Sequence, residues 1–310
     1  MTRPRFDAEP VERVRRQIVS RLRREAQDTG SVASRTLLRT IFPDHAYGRP
    51  TTGTPESVAR IAVEDLRAFA AQRLGRDTLV IGAVGDIAPE ALGPLVDQAF
   101  GSLSAASAPF AIPEVAPATD GGVTVVRMAV PQTEIQFAQA GLKRDHPDFY
   151  AATVLNQIVG GAFTSRLYQE VRERRGLVYS VYSSLAPLDR AGLILGGAAT
   201  ENARARETVE VIRGEWRRLQ AEGPSAAELE DAKLFLTDSF PLRFTSSGRI
   251  AAILVGMQLD DLGIDYLDKR NALIEAVTLA DVRRLAGSVL APDRLTFVAV
   301  GQPEGLGAAP

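Results

Sequence analysis

A chain of 310 residues, 45% hydrophobic and 24% charged, is long enough for two domains with substantial cores. Its formal net charge of -2 provides no global field for nucleic acid or an anionic membrane, and no apolar run reaches the length of a membrane span. Cysteine is absent, which removes disulfides, thiolate nucleophiles and cysteine metal sites together and leaves the redox compartment open.

The N-terminus, MTRPRFDAEPVERVRR, is charged without an apolar core, so it reads as no secretory leader and the chain as it stands is expected in the cytoplasm. Val11, Val14, Ile18 and Leu22 recur at helical spacing, with Asp7 as N-cap and Pro10 in the first turn. The basic stretches Arg13 to Arg24 and Arg172 to Arg175 lie on helical patterns with acids nearby and read as solvated faces. A second helix runs from about Ser31 to Phe42 and ends in the loop PDHAYGRPTTGTP. Thr54-Pro55-Glu56 is an N-cap followed by a first-turn proline. Leu66, Phe69, Ala70 and Leu74 mark the next helix, TLVIGAVGD a buried strand, and APEALGPLVDQAFGSL a closing helix. Residues 102–122, rich in Ala, Ser, Pro and Gly, read as a linker.

Beyond the linker, GVTVVRMAV and TEIQFAQAGL read as strands, and PDFYAATVLNQIVGG as a helix ending in a glycine pair. LVYSVYSSLAPL and AGLILGGAAT are two further strands, followed by helices. Ser225 and Glu228 form a capping box, and Leu295 to Val300 a last strand.

The segment DLRAFAAQRLGRDTLVIGAVG from Asp65 aligns without a gap on DVRRLAGSVLAPDRLTFVAVG from Asp281. This internal repeat predicts two similar helix–strand units, and Asp7-Ala8 falls opposite Ser225-Ala226 at nearly the same offset. By that register the first unit starts in mid-copy, roughly 95 residues short of the second, and Met1 is expected to be an internal or alternative start. A half-sheet of this kind is expected to expose an apolar face and open edges.

Little chemistry is available in the residue types. A catalytic zinc usually takes three protein ligands, and the only histidines are His45 in a turn-rich loop and His146 before a proline. Both read as packing, capping or solvent-facing residues. No His-x-x-Glu-His or its inverse, no G-x-S-x-G elbow, no P-loop and no G-x-G-x-x-G after a strand is present. One stretch stands apart, GGAFTSRLYQEVRERRGLVYSVYSS from Gly160: a glycine turn, an amphipathic helix, then a strand from Leu177. Arg172 and Tyr179, joined through a tight reversal at Gly176, could donate hydrogen bonds to a substrate carbonyl or oxyanion. Residue types alone favour the plainer reading, in which Arg172 pairs with a helix carboxylate and Tyr179 packs in the core.

That stretch resembles the C-terminal-half signature of the insulinase/pitrilysin family of zinc peptidases, which includes mitochondrial processing peptidases and two-chain bacterial peptidases. The matching residues are Gly160, Gly161, Phe163, Ser165, Arg166, Leu167, Arg172, Glu173, Gly176, Leu177 and Tyr179. Glu12-Arg13, His45 to Pro50 and Gly53 to Ser57 are similar to the family's first half. The resemblance implies an α+β fold of two similar domains, each an antiparallel-rich sheet packed with helices, the first incomplete. The domains would be 1–103 and 122–310, with 104–121 as linker. In active members the zinc motif lies on an early helix of the first unit, and a further glutamate ligand on the helix matching Val11 to Arg24. Aligned through Glu12-Arg13, that ligand position falls on Arg21, a cation that repels zinc, with Glu25 a turn away.

The implied protein is therefore a non-catalytic, substrate-binding subunit of a two-chain zinc metallopeptidase. It would bind no metal itself, zinc being held by a partner chain with a His-x-x-Glu-His motif. Arg172 and Tyr179 would contact the peptide substrate, and Gly160 and Gly161 would border its path or simply stop the helix. The alternatives are a structural core-type relative of the same fold and a truncated, inactive fragment. A leader ahead of residue 1 would move the expected location to the periplasm.

Overall fold

The computed structural model describes residue 2 and residues 4–307, so the expectation about Met1 lies outside the described residues. In chain order the elements are α1 (Ala8–Glu25), α2 (Thr29–Ile41), α3 (Pro55–Arg60), α4 (Val63–Arg73), α5 (Pro89–Phe100), β1 (Val123–Arg127), β2 (Gln132–Ala140) and α6 (Phe149–Asn156). There follow β3 (Val178–Leu188), β4 (Ala191–Glu201), α7 (Ala205–Glu222), α8 (Ala226–Asp238), α9 (Ser247–Leu259), α10 (Tyr266–Glu275), α11 (Leu279–Val289) and β5 (Thr296–Gly301). Helix starts follow the capping chemistry of the sequence: Thr54 with Pro55 at α3, and the reciprocal Ser225–Glu228 and Thr278–Asp281 boxes at α8 and α11. No described helix is long and apolar enough to cross a membrane.

Two compact units interleave along the chain: Met1–Arg24, Thr51–Ala111 and Phe240–Tyr266 form the first, and Glu25–Pro50, Ile112–Ser239 and Leu267–Pro310 the second. Residues 25–50, which precede the linker expected at 104–121, thus group with the second unit, and residues 240–266 with the first. The apolar face of α2 explains the former, because Ala33, Leu37 and Ile41 are buried against Leu193, Val298 and Val300 of the second unit's sheet.

That sheet has five strands in the order β1-β5-β2-β4-β3. β5 is parallel to β1 and antiparallel to β2, and β2-β4-β3 are antiparallel throughout. Every residue of β5 is buried. Phe297 and Ala299 face the larger core with Phe137, Trp216 and Leu155, while Val298 and Val300 face α2, as the two-residue period of a strand requires. The larger core holds one polar knot. The Gln139 side chain, 1% exposed, accepts from Trp216 Nε1 (2.7 Å) and Ala291 N (3.1 Å) and donates to the Val289 carbonyl (2.7 Å).

The repeat is structural. α4 and α11, and the 3-10 turns Arg76–Thr78 and Pro292–Arg294 after them, have the same bounds once 216 is added to the first set. The coverage differs. The strand expected over TLVIGAVGD forms no ladder; residues 79–84 are extended or irregular and half exposed, with α9 alongside, where Gln258 donates to the Ile81 carbonyl. In the second unit the equivalent segment is held between β1 and β2, and no described segment of the first unit plays their part. Helix faces differ likewise. Leu229, Ala232 and Leu236 of α8 are buried; their counterparts Val11, Val14 and Ile18 line an apolar groove of about 470 Å³, with Val14 44% exposed. Leu285 of α11 is buried, whereas its counterpart Phe69 is 62% exposed.

Gln139→Leu removes partners from the Trp216 indole, the Val289 carbonyl and the Ala291 amide at once. It should cost at least about 2 kcal/mol, since each stranded buried polar group costs roughly 1–3 kcal/mol. A urea titration would show a lower midpoint at unchanged slope.

Candidate functional site

The site is built where α6 ends, turns and feeds β3. α6 runs on through a π-helical turn, Gln157–Gly161, that breaks at Gly160. Gly160 is buried against β3: a Cβ there would lie 2.6 Å from both the backbone N and the Oγ of Ser183. Asn156 locks the same contact, donating to the Ser183 carbonyl (3.2 Å) and accepting from its hydroxyl (2.9 Å). Gly160 thus serves helix–strand packing, while Gly161 is exposed at the turn.

Arg166, in the next turn, clamps this segment to the α7–α8 connection. Its guanidinium forks onto Glu228 (Nε to Oε1 2.6 Å, Nη2 to Oε2 2.9 Å) and also donates to the Gly223 carbonyl (3.1 Å). Glu228 at the same time caps α8 through Ser225. Hydrogen bonding from Arg166, outweighing burial, holds the Glu228 carboxyl down at about 2. Burial pushes the nearby Glu215 carboxyl up.

The π-helical segment Tyr168–Arg174 carries Arg172 and stops at Gly176, whose φ of 56° only glycine adopts freely. The reversal is fastened from three sides. Gly176 N donates to the Arg172 carbonyl (2.9 Å), Arg204 donates to the Arg175 and Gly176 carbonyls (3.1 and 2.9 Å), and the Thr200 hydroxyl donates to Leu177 O (2.8 Å).

β3 then opens with a bulge. Val178 pairs with Thr200 and Val181 with Ala198, so Tyr179 and Ser180 together oppose Ala199. The extra residue lets Val178 and Val181 both face the core and leaves Tyr179 85% exposed. The plainer reading of Tyr179 as a core residue is therefore incorrect: the bulge turns it outward. The three-residue spacing of Val178 and Val181, odd for a strand, was the available sign. β3 is also an edge strand, so the tyrosine stands at the open side of the sheet.

Arg172 and Tyr179 do come together, with the guanidinium carbon 5.6 Å from the Tyr179 ring centroid. Arg172 also pairs with the adjacent Glu173, as the plainer reading of that residue expected. Tyr168 was not singled out from the sequence. Its ring lies 4.8 Å from the same guanidinium carbon, its hydroxyl accepts from Arg172 Nη1, and exposed Phe163 packs edge-on against it at 5.0 Å. Phe163, Tyr168, Arg172 and Tyr179 thus form one continuous surface of rings and a cation.

A family model described as "Peptidase M16 inactive domain" matches residues 60–236, more than half of the chain. The chain belongs to the M16 peptidase family. It is 28% identical over 292 residues to an uncharacterised zinc protease of Streptomyces coelicolor, covering 91% of this chain and 63% of that protein. It is 29% identical to a probable mitochondrial-processing peptidase subunit beta of Schizosaccharomyces pombe, covering 99% of this chain and 69% of that one. The crystal structure of a peptidase M16 inactive domain from Pseudomonas fluorescens superimposes with a TM-score of 0.89 at 28% identity, covering 99% of this chain and 74% of that one. The chain therefore spans roughly two thirds of these M16 relatives.

The zinc-ligand candidates that the sequence offers are engaged elsewhere or chemically unsuited. The resemblance assigns the further ligand position to Arg21, on exposed α1 surface, and a guanidinium cannot ligate a cation. His45 is buried with both ring nitrogens engaged, Nδ1 accepting from Tyr47 N (3.2 Å) and Nε2 facing the Pro113 carbonyl (3.1 Å). His146 Nδ1 accepts from Asp148 N (3.0 Å). Among the described residues no three His, Asp or Glu converge as a metal site.

Gly160→Ala forces the helix turn and β3 apart and should destabilise the protein by about 1–3 kcal/mol, read as a lower denaturation midpoint. Glu228 gives a pH signature. Its folded pKa lies below the ordinary 4.5, so its contribution is full above about pH 4.5 and is lost as pH falls towards 2. Glu228→Gln should flatten that part of the stability–pH curve, with raised Glu215 contributing a smaller slope of opposite sign in both proteins.

Proposed function

We propose that this chain is the substrate-binding, non-catalytic subunit of a two-chain M16 zinc peptidase. One observation carries the reading: Arg172 and Tyr179 are held together at the surface, with Tyr179 turned out by a bulge on an edge strand rather than packed inside. A backbone distortion that exposes a large aromatic side chain sacrifices burial, and β-bulges recur beside binding sites because they re-aim side chains. Membership of a family whose relatives are named zinc proteases and a processing-peptidase subunit supports peptide as the ligand.

In this reading Arg172 and Tyr179 donate hydrogen bonds to a peptide carbonyl or to the oxyanion formed from it. Zinc, bound by a partner with a His-x-x-Glu-His motif, supplies the activated water. This chain's residues bind and orient the peptide; Gly161 sits at the turn beside its path, and the pair of chains works as a heterodimer.

The test is zinc-dependent cleavage of a quenched peptide by such a partner, with and without this chain. Activity should appear only in the mixture, and Arg172→Ala should reduce kcat/KM by about 10²-fold, in the range lost with one oxyanion donor. Tyr179→Phe should give a similar loss at unchanged stability. Activity unaffected by adding the chain would point instead to a structural core-type role.

A further inference from the structure

We infer that Tyr168 is a positioning residue that fixes which edge of the Arg172 guanidinium faces a ligand; its consequence for catalysis rests on the substrate-binding role proposed above. Neither Arg172 nor Tyr179 is held by the core. Tyr179 is almost wholly exposed, and Arg172 lies on a surface turn with its side chain about one third exposed. Tyr168, four residues before Arg172, is different: it is partly buried against the second unit's main core, and the Phe163 ring closes on its edge.

The bonding pattern assigns the edges. Nη1 of Arg172 is used inward, donating to the Tyr168 hydroxyl and to the Glu173 carboxylate. Among the described residues the N–H groups on Nε and Nη2 have no partner. Nε–H and Nη2–H form the side-on fork of a guanidinium, the edge that grips a carbonyl or carboxylate oxygen pair. With Tyr168 beneath one part of the cation and Tyr179 beside it, the fork is left as the face presented to a peptide. Glu173 alone would not achieve this, because a carboxylate on the neighbouring residue, itself about half exposed, fixes charge but little orientation. The tyrosine hydroxyl is the anchored half of the arrangement.

Tyr168→Phe tests this with the ring and its packing retained. Heteronuclear NMR of the arginine side chains of the full chain reads Arg172 directly, its signals identified by their loss in Arg172→Lys. The expected result is that Tyr168→Phe, at unchanged thermal midpoint, shifts the Arg172 signals and speeds rotation of its guanidinium. Unchanged Arg172 signals would overturn the inference.

In the mixed cleavage assay, Tyr168→Phe should lower kcat/KM by about tenfold, the weight of one hydrogen bond to a charged group. Added to Arg172→Ala it should produce no further loss, since it acts only through that residue. Full additivity, or wild-type kinetics with altered Arg172 signals, would also overturn it. If the wild-type mixture is inactive, the proposed peptidase role fails, and the Arg172 spectra decide the positioning by themselves.

Discussion

The second unit depends on one constraint: β5, the last described strand, must be inserted into the interior of the sheet. It lies between β1 and β2, and all its residues are buried, alternating between the Trp216 core and the α2 face. A strand buried on both faces needs a cover on each side. The α6–α7–α11 layer supplies one and α2 the other, which is why a helix from the N-terminal stretch belongs to this unit. The parallel β1–β5 pair inside an otherwise antiparallel sheet follows from the same insertion. Gln139 joins this centre to α7 and α11 through fully satisfied hydrogen bonds, so register and helix placement are set together.

The surface site follows from the edge of that sheet. With β5, β2 and β4 fixed, β3 is left outermost, and its first residues must accommodate both the Gly176 reversal and a core that wants Val178 and Val181 together. The bulge resolves that conflict and places Tyr179 outside. Gly160 allows the preceding helix turn to touch β3 at Ser183, and the Arg166–Glu228 fork ties the intervening turn to α8. Each support is a close approach or a two-point ion pair, so the Arg172–Tyr179 pair sits on a well-fastened base although both side chains reach solvent.

The internal repeat shows how far context governs burial. Helix bounds and turns recur at a constant offset, yet the same positions are core in one unit and groove in the other. Val11, Val14 and Phe69 carry the residue types of a buried face; what they lack among the described residues is the strand–strand–helix layer that covers their counterparts. Local propensity forms the helix, and a neighbouring layer buries it.

From the sequence alone, the helix starts were legible because capping is local: Ser225 with Glu228, and Thr54 before Pro55, satisfy backbone donors within one turn. The repeat was legible because two segments match without a gap at a constant offset, while the α+β class and the role of the glycine-marked Arg/Tyr segment came through the family resemblance. The grouping of α2 with the second unit, the missing ladder at residues 79–84, the bulge under Tyr179 and the part of Tyr168 were decided by tertiary structure. They depend on partners distant in the chain: a sheet face for Ala33 and Leu37, flanking strands for Ile81, and the β4 register for Tyr179. A strand's pattern states which residues prefer burial, but only the fold determines whether a neighbour arrives to bury them.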